Sequence, residues 1–137
     1  MDTSNQVGEV MTTFTWEHIH LRSADPEATA AWYHDKLGAE VIRTPQPDGS
    51  MRIDLNLSGQ KVFVAKAMPG KAAGAPNSPY LGLDHFGLTV DDIEAAVSEL
   101  KAKGVAFTMG PTAIRAGVKI AFLTAPENVS IELIQRG

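Results

Sequence analysis

Two histidines and one glutamate stand where a metal could be held. His18 and His85 each head a run in which apolar and other residues alternate, and Glu132 interrupts an otherwise apolar stretch, SIELI. The chain has no cysteine, which excludes disulfides, thiolate ligands and a Cys nucleophile and leaves imidazole and carboxylate to carry any site chemistry. Two neutral imidazoles and a carboxylate suit one divalent ion with positions left open for substrate or water.

The elements that must position these groups follow from alternation. In a strand, residues two apart share a face, so His18, His20 and Arg22 point one way while Ile19 and Leu21 point toward a covering helix. In the same manner His85, Gly87 and Thr89 oppose Phe86, Leu88 and Val90, and Glu132 with Ser130 opposes Ile131 and Leu133. Arg52, Asp54 and Asn56 alternate with Ile53, Leu55 and Leu57, which describes either a solvated face or the floor of a polar pocket. On the first helix His34, Asp35 and Lys36 are expected to face solvent, with Trp32 and Tyr33 packing on the sheet.

These pieces form one unit written twice. Trp16 to Arg22 reads as a strand, Asp25-Pro26 as a helix cap followed by proline in the first turn, and Gly38 as the stop after Leu37. His85 to Val90 is the matching strand, Asp91-Asp92 starts the second helix, and Ile93, Ala96, Val97 and Leu100 fall at helical spacing before Gly104. Three strand-like runs follow each helix: Val41 to Arg43, Met51 to Leu57 and Lys61 to Lys66, then Val105 to Met109, Val118 to Thr124 and Val129 to Gln135. Asp25 and Asp92 are 67 residues apart, and so are His18 and His85. The expectation is an α+β fold of two tandem βαβββ modules whose sheets form a cup. Residues 1–13 would be a loose arm and 14–137 one domain. Within it, module 1 spans about 14–67, a Gly/Ala/Pro-rich linker 68–80, and module 2 about 81–137.

Bulk properties set the limits. A chain of 137 residues supports one ordinary domain. Its 44% hydrophobic and 20% charged residues are those of a globular protein, and no apolar run approaches the roughly eighteen residues of a membrane span. A net charge of −4 without a Lys/Arg cluster argues against nucleic acid as a partner. A cytoplasmic setting fits the lack of cysteine and of a secretory leader at the start.

Three segments, EHIHLRSADPEATAAWYHDKLG (Glu17 to Gly38), LDHFGLTVDD (Leu83 to Asp92) and APENVSIELI (Ala125 to Ile134), resemble the vicinal oxygen chelate superfamily. That superfamily includes glyoxalase I, methylmalonyl-CoA epimerase, fosfomycin-resistance transferases, extradiol dioxygenases and bleomycin-resistance proteins. The resemblance implies the glyoxalase-like fold, places His18, His85 and Glu132 on metal-ligand positions, and places Arg22 where relatives hold an acidic group of the substrate. Where glyoxalase I and the epimerases have a further ligand, this chain has Val64 or Ala65. Where ring-cleaving dioxygenases have a catalytic tyrosine it has Phe122, and only Ala113, Ile114 and Arg115 lie near the place of their upstream histidine. Asn128 replaces a common glycine, tolerable because Asn accepts the left-handed conformation.

The functional expectation is a divalent-metal-dependent isomerase or lyase of glyoxalase-like type, loaded with one Fe2+, Mn2+, Ni2+, Co2+ or Zn2+ per site, that chelates vicinal oxygens of a small anionic substrate and stabilises an enolate-like charge. His20, which titrates near neutral pH, is the expected base and Asp54 the second candidate. Arg22, Arg52 and Asn56 are the expected substrate contacts, although Arg22 has a plainly structural alternative in an ion pair with Asp54. Two other readings stand beside this one: an Fe(II) extradiol-type dioxygenase and a metal-free small-molecule binder. The expected assembly is a homodimer in which His18 of one chain completes a site with His85 and Glu132 of the other.

Overall fold

A computed structural model describes residues 12–68, 70 and 73–137. All but the last two residues of the expected arm lie outside that set. The chain runs β1 (Ile19–Ser23), α1 (Pro26–Leu37), β2 (Glu40–Pro45), β3 (Met51–Leu57) and β4 (Gln60–Lys66), then β5 (His85–Thr89), α2 (Ile93–Ala102), β6 (Ala106–Arg115), β7 (Val118–Ala125) and β8 (Val129–Arg136). Two βαβββ modules therefore stand in tandem, and a single turn of 3-10 helix, Pro126–Asn128, leads into β8.

The helices start and stop for the reasons visible in sequence. Asp25 accepts the Ala28 amide at 3.2 Å and Asp92 the Ala95 amide at 3.1 Å, each satisfying an N–H that has no partner within its helix. Gly38 ends α1 in the left-handed conformation, φ 73°, which lacks a penalty only for a residue without Cβ. Thr29, Ala30 and Tyr33 are the buried face of α1, and Ile93, Val97 and Leu100 that of α2.

Each module forms its own four-stranded sheet, ordered β1-β4-β3-β2 and β5-β8-β7-β6. The first strand pairs in parallel with the last of its module, Ile19 opposite Val62 and Phe86 opposite Ile131, and the remaining pairs are antiparallel. One apolar core joins both modules and includes Leu55, Val62, Ile93, Leu123, Ile131 and Leu133. Near-reciprocal contacts tie the helix ends together: Lys36 Nζ donates to Lys103 O at 2.8 Å and Lys103 Nζ to Asp35 O at 3.3 Å. No helix among the described residues is long and apolar enough to cross a membrane.

Several expectations need correction. β1 begins at Ile19 rather than Trp16, so His18 lies just ahead of it. β2 is longer than Val41 to Arg43 and ends in Pro45, which an outer strand tolerates because its amide face is unpaired. β6 runs on through Gly110-Pro111 to Arg115, with register shifts that absorb the break those residues signal. His34 is exposed as expected, and its Nδ1 also lies 2.9 Å from Ala39 O.

Candidate metal centre

The strand faces come out as alternation demands. Ile53, Leu55 and Leu57 of β3 and Val62 and Val64 of β4 are buried, which turns Arg52, Asp54, Asn56, Phe63 and Ala65 to the opposite face with His20 and Arg22 of β1. Val64 therefore belongs to the core and offers no ligand position, while Ala65 sits opposite Arg22 with no donor atom. In module 2, His85 heads β5, and Glu132 on β8 stands opposite Gly87.

His85 and Glu132 converge, with Nε2 of the imidazole 3.1 Å from Oε1 of the carboxylate. Nδ1 of the same ring donates to Asp84 Oδ2 at 2.8 Å. The ring also meets Phe122 edge-on, with centroids 4.9 Å apart. Hydrogen bonding to Asp84, opposed by partial burial and reinforced by Glu132, raises the His85 pKa. The bonds from His85 and Ser78 hold Asp84 below the usual carboxylate range. In the imidazolium form Nε2 donates to Glu132 Oε1, and in a neutral ring with its proton on Nδ1 the same nitrogen presents a lone pair beside that carboxylate oxygen. Those donor types and that convergence fit two ligands of a divalent ion.

His18 belongs to a different neighbourhood. Its ring stacks on Phe63 at 3.9 Å between centroids, and its Nδ1 lies 3.0 Å from Glu17 Oε1. Among the described residues no three His, Asp or Glu side chains gather into a group able to hold a metal, so one chain brings together His85 and Glu132 but not His18. His20 packs edge-on to the same Phe63 and makes no side-chain hydrogen bond among the described residues. Partial burial, and then the positive charges of Arg22, His18 and Arg52, lower its pKa.

The other expected residues are partly committed elsewhere. Arg52 pairs with Asp54, Nε to Oδ2 at 3.0 Å, and its guanidinium lies 4.5 Å over the Phe63 ring. Asp54 is thus the partner of Arg52, and Arg22 instead donates to Lys66 O at 3.3 Å. Asn56 is drawn into the β3–β4 turn, where its Oδ1 accepts the Gly59 amide at 2.7 Å. Arg52, Asp54, His20 and Phe63 line a hollow of about 740 Å³ on module 1. A smaller one of about 290 Å³, with Asp84, Phe122 and Ser130 in its wall, lies on module 2. Phe63 and Asp84 are the site residues that sequence reasoning missed. The alternation of KVFVAK around buried Val62 and Val64 could have found the first, and the acid immediately before His85 the second.

Comparison with known proteins bears on the family and the fold. Residues 15–133 match the glyoxalase/bleomycin resistance protein/dioxygenase superfamily. The chain belongs to that superfamily. Across 121 residues it is 30% identical to the uncharacterized protein YwkD of Bacillus subtilis, covering 87% of this chain and 94% of YwkD. A shorter stretch of 57 residues is 39% identical to a probable chloroplastic lactoylglutathione lyase of Arabidopsis thaliana, covering 41% of this chain and 16% of the plant protein. The crystal structure of a glyoxalase family protein from Enterococcus faecalis superposes with a TM-score of 0.70 at 24% identity, over 95% of this chain and 99% of that one. These likenesses establish the superfamily and its fold.

Proposed function

We propose that this superfamily member is a divalent-metal-dependent isomerase or lyase acting on a small anionic substrate. The observation that carries the reading is the convergence of His85 Nε2 and Glu132 Oε1 at 3.1 Å, with Nδ1 already engaged by Asp84. In this reading His18 of a second copy supplies the third ligand, since a single chain does not gather all three. Among the described residues the first strands β1 and β5 each form one edge of their sheet, and joining β1 of one chain to β5 of another would cover both symmetrically.

A bound divalent ion supplies Lewis-acid polarisation of substrate oxygens. The rest of the work falls to the chain. Arg22 and Arg52 give the module 1 face the positive charge that holds a carboxylate or phosphate in place. His20 shares that face, its ring 6.2 Å from His18 and edge-on to Phe63, and makes no side-chain hydrogen bond among the described residues, whereas Asp54 is occupied by Arg52. His20 is therefore the stronger of the two candidates to take and return the substrate proton. Phe63 walls the hollow and limits water beside that imidazole.

Phe122, edge-on to His85, provides no proton donor there, which weighs against ring-cleaving oxygen chemistry. Mixing His18→Ala with Glu132→Ala protein tests the reading. A heterodimer of the two carries one intact site, so about a quarter of wild-type sites should return after free exchange. No recovery in a well-exchanged mixture would remove the shared site. Failure of any divalent ion to raise the melting temperature of the wild-type protein would replace the enzyme reading with a metal-free binder.

A further inference from the structure

The repeat extends one residue ahead of each histidine. Glu17 and Asp84 are also 67 residues apart, so an acidic side chain precedes His18 and His85 at equivalent places. Both acids make the same contact. Glu17 Oε1 lies 3.0 Å from His18 Nδ1, and Asp84 Oδ2 lies 2.8 Å from His85 Nδ1. Each acid has its second oxygen engaged as well: Glu17 Oε2 accepts from Lys61 Nζ at 3.1 Å, and Asp84 Oδ1 accepts from Ser78 Oγ at 2.7 Å and the Tyr80 amide at 3.2 Å.

We propose that Glu17 and Asp84 are positioning residues that fix both histidines in the Nδ1–H tautomer, leaving each Nε2 lone pair for the ion. The inference rests on the metal-binding reading and adds to it a pair of residues that act through the ligands. An ionised carboxylate only accepts hydrogen bonds, so at His18 the proton of the neutral ring belongs on Nδ1, facing Glu17, and Nε2 is bare. At His85 Nε2 also faces a carboxylate, Glu132 Oε1 at 3.1 Å, and the shorter contact of Nδ1 with Asp84, 2.8 Å, is what favours Nδ1–H there. Ligating histidines are commonly oriented by such an outer carboxylate, and losing it typically weakens metal affinity about 10- to 100-fold.

The two copies of the device are not equally strong. The Asp84 side chain is 28% exposed and Glu17 is 63% exposed, and solvent weakens the more open contact. Asp84 is also held by the segment that the sequence reads as a free linker. Ser78 and Tyr80 clasp it, while Asn128, in the turn before β8, donates to Pro76 O at 2.7 Å and to Asn77 Oδ1 at 2.9 Å. Residues 76–80 therefore connect the acid that orients His85 to the strand that carries Glu132.

Two measurements decide the matter. Ring-nitrogen NMR of the metal-free protein, at a pH where the imidazoles are neutral, is expected to show the Nδ1–H tautomer at both His18 and His85. Asp84→Asn and Asp84→Ala should shift His85 alone toward Nε2–H, where Glu132 is the remaining carboxylate, and Glu17→Gln should mix the tautomers at His18 alone. Zinc titration by calorimetry should show affinity falling about 10- to 100-fold for the Asp84 variants, and by a smaller factor for Glu17→Gln. Asp84→Asn keeps the shape of the side chain and carries the test if the alanine variant folds poorly. Unchanged tautomers, or unchanged zinc affinity with a zinc-binding wild type, would overturn the positioning role while leaving the metal reading intact. A wild type that binds no zinc or other divalent ion removes the metal reading, and this inference with it.

Discussion

Gly87 and Glu132 face each other across the parallel β5–β8 pair, and a Cβ placed on Gly87 would come within 3.8 Å of Glu132 Oε1. With no side chain at position 87, the carboxylate can lean along the strand toward His85, whose register partner is Ser130 rather than Glu132. A methyl group fits at ordinary van der Waals distance, whereas a branched side chain must occupy the space the carboxylate uses. Gly87→Ala should therefore keep the rise in melting temperature produced by zinc or manganese, and Gly87→Leu should abolish it. If Gly87→Leu responds to metal like the wild type, Glu132 does not approach the ion from this side.

His20 is expected to serve chemistry and not metal binding. It stands two residues from His18, but its ring packs against Phe63 rather than toward a carboxylate. His20→Gln should retain the metal-induced rise in melting temperature and lose turnover by about 10²- to 10⁴-fold, the usual contribution of general acid–base catalysis. Full turnover in that variant would move the proton-transfer role elsewhere, with Asp54 the next residue to test.

Much of this arrangement was legible in sequence because it depends on two short-range rules. The strand period of two placed His20, Arg22, Arg52 and Asp54 on one face, since each neighbours a core residue such as Leu21, Ile53 or Leu55 that must be buried. Capping chemistry placed both helix starts, because Asp25 and Asp92 satisfy specific amides. What escaped was long-range commitment. The pairing of Arg52 with Asp54 over Phe63, the turn bond of Asn56 and the clasp of Ser78 on Asp84 depend on which strands become neighbours. The extent of β6 escaped for a similar reason: Gly110-Pro111 signals a break locally, and only its position at the sheet edge makes it harmless.

Tyr33 gives a stability prediction free of any functional assumption. The residue is fully buried against the sheet, and its hydroxyl finds no hydrogen-bond partner among the described residues. Burial also pushes its pKa upward. An unsatisfied buried hydroxyl costs about 1–3 kcal/mol, so Tyr33→Phe, which keeps the ring, should be neutral or stabilising by about 1 kcal/mol in urea unfolding. Tyr33→Ala should instead cost about 3–5 kcal/mol through the cavity it leaves. A clear loss of stability in Tyr33→Phe would show that the hydroxyl has a partner after all.

The apolar residues ahead of the first strands predict where a second copy binds. Phe14 and Trp16 correspond in the repeat to Leu81 and Leu83, and these four side chains are 90%, 73%, 99% and 75% exposed. Large apolar groups at equivalent places beside β1 and β5, the edges of the two sheets among the described residues, are what a two-fold interface joining those edges would bury. Burying one such side chain contributes about 1.5–3 kcal/mol, and each 1.4 kcal/mol is about tenfold in affinity. Trp16→Ser with Leu83→Ser should therefore weaken self-association at least about a hundredfold in sedimentation equilibrium. The folding stability of the separated chain should hold within about 0.5 kcal/mol, because these side chains make little contact within it. The same double variant should lose the activity recovered by mixing His18→Ala and Glu132→Ala chains. Undiminished self-association together with undiminished recovery would place the interface on another surface.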